Sequence, residues 1–294
     1  MPHLSSAALR RDLSQRNGER AQAHGHELSY GQIPSVIYRD EGGGHGNFIP
    51  ESYRAICRNP EWRKRLEKHY SGGRWVPRAW ERERRELDCA NSSDALLMNI
   101  FCYPKVLRRP QLRALLGAET GLDPEFGFKP RIPLLRVPAQ NERGDSTERG
   151  DSTEIDMRIG RILVEAKLTE SAFQPAPARL LLRYRDLHEI FDVEQFRTRG
   201  DKIRGYQLIR GALAAHTTGC SFLFLCDERR TDLIESWFEV LSTVRSYSFR
   251  SRLKLLTWQE VAAVVPRNLQ KFLAGKYGIV KADSSRVADD NSSL

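Results

Sequence analysis

The segment EIDMRIGRILVEAKL at 154–168 constrains the fold more than any other part of the chain. Apolar residues alternate with polar ones on both sides of Gly160-Arg161, which is the period of an extended strand. A glycine at the first central position of a two-residue turn suits type II′, whose twist matches that of the flanking strands. With Gly160-Arg161 as the turn, Asp156 falls opposite Glu165 and Glu154 opposite Lys167, and opposed residues share a face. Ile162, Val164, Ala166 and Leu168 then point toward a core, while Arg161, Leu163, Glu165 and Lys167 point the other way. Two carboxylates facing each other across a strand pair repel. A hard divalent cation with oxygen ligands offsets that repulsion, polarises a phosphodiester and acidifies a bound water. Lys167 beside them suits the orientation of the attacking water and the stabilisation of charge on the phosphate. A half-exposed strand with a Glu154–Lys167 surface pair and two solvated acids fits the same string, so the hairpin alone leaves both readings open.

The flanking sequence supplies the layers. Ser92-Ser93-Asp94 reads as the cap and acidic first turn of a helix running through ALLMNIFC, and an amphipathic stretch at 105–117 ends at Gly117. FGFKPRIPLLRV (126–137) reads as an extended segment that its prolines restrict to an edge or bent strand. After the hairpin, 179–195 and 200–215 read as helices, SFLFLC (221–226) as a buried strand, 231–244 as a helix, LKLLTW (253–258) as a strand and 259–275 as a last helix. Alternating strands and helices predict an α/β fold with a central mixed β-sheet flanked by helices. Residues 1–50 are polar and glycine-rich and are expected to be flexible. Residues 51–90 are expected to form a basic helical extension, 91–280 the main domain and 281–294 a disordered tail. The hexapeptide ERGDST occurs twice in tandem at 142–153, as expected of a lengthened surface loop.

The hairpin residues resemble the PD-(D/E)XK nuclease superfamily, whose motif is an acid at the end of one strand followed on the next by Glu/Asp-x-Lys. The match is Ile155-Asp156, then Ile162-Leu163-Val164-Glu165-Ala166-Lys167, with Ile155 where the name-giving pattern has Pro. Lys202-Ile203-Arg204-Gly205-Tyr206-Gln207 is similar to the Gln-bearing helix of some branches. The resemblance spans about 92–275, and SSDALLMNIF and EAKLTE are similar to a poorly characterised restriction-endonuclease-like branch. It implies a restriction-endonuclease-like core with a helical N-terminal extension. It further implies catalysis by Asp156, Glu165, Lys167 and Gln207, with Mg²⁺ (or Mn²⁺) held by Asp156, Glu165 and the carbonyl of Ala166. Arg204, Gln207 and Arg210, three apart, are expected on one helical face toward the phosphate backbone, although an ordinary solvated face fits as well. Asp94 is an auxiliary acid candidate, and helix capping accounts for it equally.

The formal net charge of +9, from 47 Lys and Arg against 38 Asp and Glu, favours a polyanionic partner. DNA is the partner the resemblance implies, with a homodimer as one arrangement for cutting both strands. Arg63, Lys64 and Arg65, in the basic stretch that also carries Tyr53, Trp62 and Tyr70, are candidate contacts to flanking nucleic acid. An ordinary helix with one packed face accounts for them too. The five cysteines show no zinc spacing. Neither a secretory leader nor an apolar run long enough to span a bilayer is present, so a cytoplasmic protein without a membrane partner is expected. No G-x-G-x-x-G or G-x-x-x-x-G-K-[ST] follows a strand, which excludes the dinucleotide and P-loop classes. The reading from another class is a catalytically inactive fold of the same type that binds DNA.

Overall fold

In the computed structural model the structure describes residues 4–22, 26–28, 35–69, 85–135, 150–170, 173 and 175–280. Five strands form a mixed sheet: β1 (Glu125–Phe128), β2 (Ile155–Ile159), β3 (Ile162–Ala166), β4 (Ser221–Cys226) and β5 (Leu253–Thr257). Their spatial order is β5-β4-β3-β2-β1, with β1–β2–β3 antiparallel and β3–β4–β5 parallel. The expected register holds, because Ile159 pairs with Ile162 and Met157 with Val164 around Gly160 at φ +54°. The β2–β3 ladder ends at Met157–Val164, and beyond it the Asp156 carboxylate accepts the Ala166 N–H at 2.8 Å.

Eight helices are labelled here: α1 (Ser6–Gln22), α2 (Pro50–Arg58), α3 (Ser93–Phe101), α4 (Pro110–Leu116), α5 (Tyr206–Thr217), α6 (Thr231–Ser242), α7 (Trp258–Val264) and α8 (Arg267–Tyr277). Met157, Ile159, Ile162, Val164 and Ala166 pack on one sheet face against α1, α3, α4, α7 and α8. Leu163, Phe222 and Phe224 pack on the other against α5 and α6. Sandwiching the sheet explains why β4 is apolar at successive positions, since both faces of a parallel strand are covered. The alternation in β3 is as expected, but its second face is covered too: Leu163, Glu165 and Lys167 are all buried. Two solvated acids are therefore not what the hairpin carries.

Several segments differ from expectation. Residues 1–50, expected to be flexible, include α1, which buries Leu9, Leu13, Asn17 and Ala21 at near one-turn spacing, and Val36 to Tyr38 are buried as well. The Lys276 ammonium at the end of α8 donates to Asn17 Oδ1 at 2.8 Å, fastening α1 to the core. The helix expected at 179–195 is broken into Ala178–Leu181, Leu187–Ile190 and a 3₁₀ turn at Val193–Gln195. Tyr184 lies between the first two pieces, buried, with its hydroxyl on Asp151. The helix expected from 200 begins only at Tyr206, after short strands at Thr198–Arg199 and Lys202–Ile203 and after Gly205 at φ +72°. The last helix is two, because Pro266 drives Val265 out of the helical region. The tail at 281–294, residues 70–84 of the basic stretch and the first ERGDST copy lie outside the described residues. Among the described residues no helix is long and apolar enough to cross a membrane. Four of the five free cysteines are buried and Cys57 is exposed.

Candidate active site

Asp156 and Glu165 sit on adjacent central strands, so their spacing is fixed by the sheet and not by a loop. Glu165 lies opposite Phe224 of β4. Lys167 continues the same alignment, its N–H donating to the Leu225 carbonyl at 2.8 Å and its own carbonyl accepting from the Trp258 indole at 2.9 Å. The Lys167 ammonium meets Glu165 Oε1 at 2.6 Å. Burial, then the neighbouring Glu165 carboxylate, pushes the Asp156 carboxyl well above the usual range, while Lys167 opposes the rise and Asp94 adds to it. Burial alone would lower Lys167, but Glu165 and Asp156 outweigh it and hold the ammonium above the ordinary lysine value. Lys167 therefore keeps its proton at neutral pH as a hydrogen-bonding cation, and Asp156 is an acid whose charge the protein leaves under-compensated.

Asp94 joins this group from the first turn of α3. Ser92 caps that helix through the Ala95 N–H at 3.2 Å, so Asp94 is not the cap and its carboxylate is free for longer-range pairing. It accepts from Arg65 at 2.7 Å and Lys68 at 3.1 Å, and the same two cations reach Glu154 at 2.8 Å and 3.0 Å. The expected Glu154–Lys167 pair is replaced by these contacts. Gly127 makes them possible. It takes the register position opposite Asp156, between the pairs Phe126–Met157 and Phe128–Ile155, at φ +71°. A Cβ there would collide with the Arg65 guanidinium and crowd the Glu154 carboxylate. Glu170 closes the far side, accepting from Ser93 Oγ at 2.6 Å and from the Leu168 N–H at 2.6 Å. Lys68, Glu154 and Glu170 were not singled out from the sequence as site residues. The three-residue spacing of Arg65 and Lys68 in a 3₁₀ segment was the available signal, since such positions eclipse one another.

The family described as Restriction Endonuclease associating with ARP matches residues 11–278, which takes in the whole five-stranded sheet and every site residue just described. The chain belongs to this family. No curated protein and no solved structure matches it.

Within this restriction-endonuclease family member the remaining candidates separate into two groups. Arg210 is buried in α5 and donates to the carbonyls of Thr153 and Glu154 at 3.0 Å each, so it braces the lead-in to Asp156 and is not a surface cation. The Asp151 carboxylate on that lead-in accepts from Tyr184 and Thr153, and Tyr184 meets the Tyr206 hydroxyl at 3.0 Å. Burial would raise the Asp151 carboxyl, but those hydrogen bonds hold it below the usual range. Gln207 is half-buried in the first turn of α5, and among the described residues its amide has no hydrogen-bond partner. Arg204 precedes the helix, so it does not share a helical face with Gln207 and Arg210. It is exposed, 3.8 Å from Glu239. Arg63 and Lys64 are also exposed, Lys64 against Glu61 at 2.7 Å, whereas Arg65, next in sequence, turns inward to the acids. Among the described residues no three Asp, Glu, His or Cys side chains converge as a ready-made metal cage. The oxygen donors that come together are Asp156 and Glu165, the latter already meeting the Lys167 ammonium, while Asp94 and Glu154 are held by Arg65 and Lys68.

Proposed function

We propose that this chain is a magnesium-dependent nuclease of the PD-(D/E)XK type that hydrolyses phosphodiester bonds of DNA. One observation carries the reading: two carboxylates on neighbouring strands, the half-buried Asp156 and the buried Glu165, stand beside a protonated Lys167 where Asp156 is strongly disfavoured as a free anion. Family membership supports DNA as partner. The donor set is hard and all-oxygen, and Mg²⁺ characteristically binds through one or two carboxylates, keeping its other positions for water and phosphate. Asp156 and Glu165 fit that role, for Mn²⁺ as for Mg²⁺. A divalent ion bound there supplies Lewis-acid polarisation of the phosphoryl oxygen and a more acidic water.

The chain's own groups do the rest. Lys167 orients the attacking water and donates to the phosphate as charge develops. Arg210 and Asp151 keep the lead-in to Asp156 in place. Gln207 and Arg204 contact the nucleic-acid backbone near the cut, and Arg63 and Lys64 contact its flank. Two copies acting as a homodimer would cut both strands. The test is cleavage of supercoiled plasmid and of single-stranded DNA in Mg²⁺, in EDTA and with Lys167→Ala. Cleavage that requires the metal and disappears in the variant is expected. Salt-dependent binding of DNA without cleavage under any condition refutes the nuclease and leaves a DNA-binding protein on the same fold.

A further inference from the structure

On the outer side of β1 a groove of about 720 Å³ runs between the end of α2 and the turn that follows α3. Three exposed cations line it, Arg58, Lys105 and Arg108, and among the described residues none of the three is ion-paired. Asp123 is the one acid among the lining residues. Two half-buried aromatics, Trp62 and Tyr103, complete the wall. Trp62 is fixed in position, its indole N–H donating to the Pro124 carbonyl at 2.8 Å and its ring meeting Phe126 edge-on at 6.2 Å. Lys105 is the only non-glycine residue with positive φ among the described residues, at +62°. A left-handed lysine is maintained against an intrinsic conformational penalty, and such strain concentrates where a side chain is needed for function.

We infer that this groove binds single-stranded DNA flanking the scissile phosphate, the cations following the backbone and the two aromatics stacking bases. The inference rests on the nuclease reading for the word scissile, but the binding itself does not require cleavage. A groove with unpaired cations and interleaved aromatics is the arrangement that holds single strands without sequence preference, because every base has a π-face. Duplex DNA keeps its bases stacked inside and gains only the electrostatic part. Continuity with the acids supports the assignment. Pro124 in the groove wall lies three residues before Gly127, which is opposite Asp156, so about 10 Å of extended strand separates them. Arg65, one turn beyond Trp62, reaches Asp94 and Glu154 beside Gly127.

The test is fluorescence anisotropy of a labelled oligothymidylate and of a labelled duplex of equal length, in EDTA so that no cleavage intervenes. The proteins are the parent chain, Arg58→Glu/Arg108→Glu and Lys105→Gly. The charge-reversed variant should bind the single strand about tenfold or more weakly, with the salt slope reduced by about 1.4 for two lost phosphate contacts. The parent should bind the single strand more tightly than the duplex, because only unpaired bases can stack on the two aromatics. Lys105→Gly should weaken single-strand binding while raising the melting temperature, since glycine adopts the left-handed conformation without penalty. Unchanged single-strand affinity and slope in the charge-reversed variant overturns the inference, as does a parent chain that binds the duplex more tightly than the single strand. Metal-dependent cleavage by the parent with unchanged single-strand binding in the variant would sink the groove and spare the nuclease. Groove-dependent binding without cleavage would do the reverse.

Discussion

Replacing Arg65 by Met keeps most of the aliphatic stem and removes the guanidinium beside Gly127 that joins Asp94 to Glu154. The Arg65 side chain is 11% exposed and Asp94 10%, so the pair is largely out of water, whereas Glu154 keeps 28% of its surface. Breaking a buried ion pair by deleting one partner typically destabilises by about 3–5 kcal/mol. Here Lys68 still reaches both acids, at 3.1 Å and 3.0 Å, and Glu154 is partly solvated. The expected loss is therefore smaller, about 2 kcal/mol, the scale of a lost charged hydrogen bond. The variant should also respond more strongly to divalent ions, because Asp94 and Glu154 then share Lys68 alone next to the already crowded Asp156. Binding to the folded state alone stabilises it by about 2.7 kcal/mol at a ligand concentration one hundred times Kd. Urea unfolding in EDTA and in saturating Mg²⁺ reads both effects from the midpoints. A loss in EDTA below about 0.5 kcal/mol, as for a solvated surface pair, would show that the four charges do not form a desolvated unit. A Mg²⁺ increment equal to that of the parent would show that Asp94 and Glu154 lie outside the field of the metal-binding pair.

Two further outcomes follow from the same groups. Because burial and Glu165 raise the Asp156 carboxyl, its folded-state value lies above the unfolded one, and stability falls as pH rises from the ordinary Asp range through the raised value. Asp156→Asn cannot ionise yet keeps an acceptor for the Ala166 N–H, so it should melt higher than the parent at pH 8, with the difference vanishing below about pH 4. A variant no more stable than the parent at pH 8 contradicts this. Asp151 has the opposite sign: its carboxyl is held below the usual range, so its contribution is present above that range and is lost as pH falls. Tyr184→Phe removes one of its donors and should destabilise by about 1–3 kcal/mol at pH 7, with a shallower acid limb in thermal melts between pH 3 and 7. An acid limb identical to the parent's would remove Tyr184 from the account of Asp151.

What was legible in the sequence was local. Period-two alternation with a glycine at the turn placed the hairpin in its register, and a serine followed by an acid placed the start of α3. Apolar runs of strand length gave β4 and β5. The start of α5 was misplaced because Lys202 and Ile203 carry no breaker, and the left-handed Gly200 and Gly205 show that the chain is still turning there. α1 was missed because its buried stripe is narrow: Leu9 and Leu13 stand among Arg, Asp and Gln, and Asn17 contributes by bonding to the Lys276 ammonium and carbonyl. No composition rule registers a buried asparagine that serves a lysine more than two hundred residues away.

The site divides along the same line. That Asp156, Glu165 and Lys167 lie near one another was readable because one turn sets the register of both strands. Arg63, Lys64 and Arg65 looked alike because charge composition does not record direction. Consecutive residues on a helical segment point about 100° apart. Two of these face solvent, and the third enters the acids through the gap that Gly127 leaves. Arg210 shows the converse: its helical phase was right, but phase gives a direction and not what lies in it, which here is a pair of strand carbonyls. A basic residue near the acidic pair is thus assigned by the partner its guanidinium already has. By that criterion Arg65 and Arg210 shape the acids, while Arg58, Lys105 and Arg108 are left to meet phosphate.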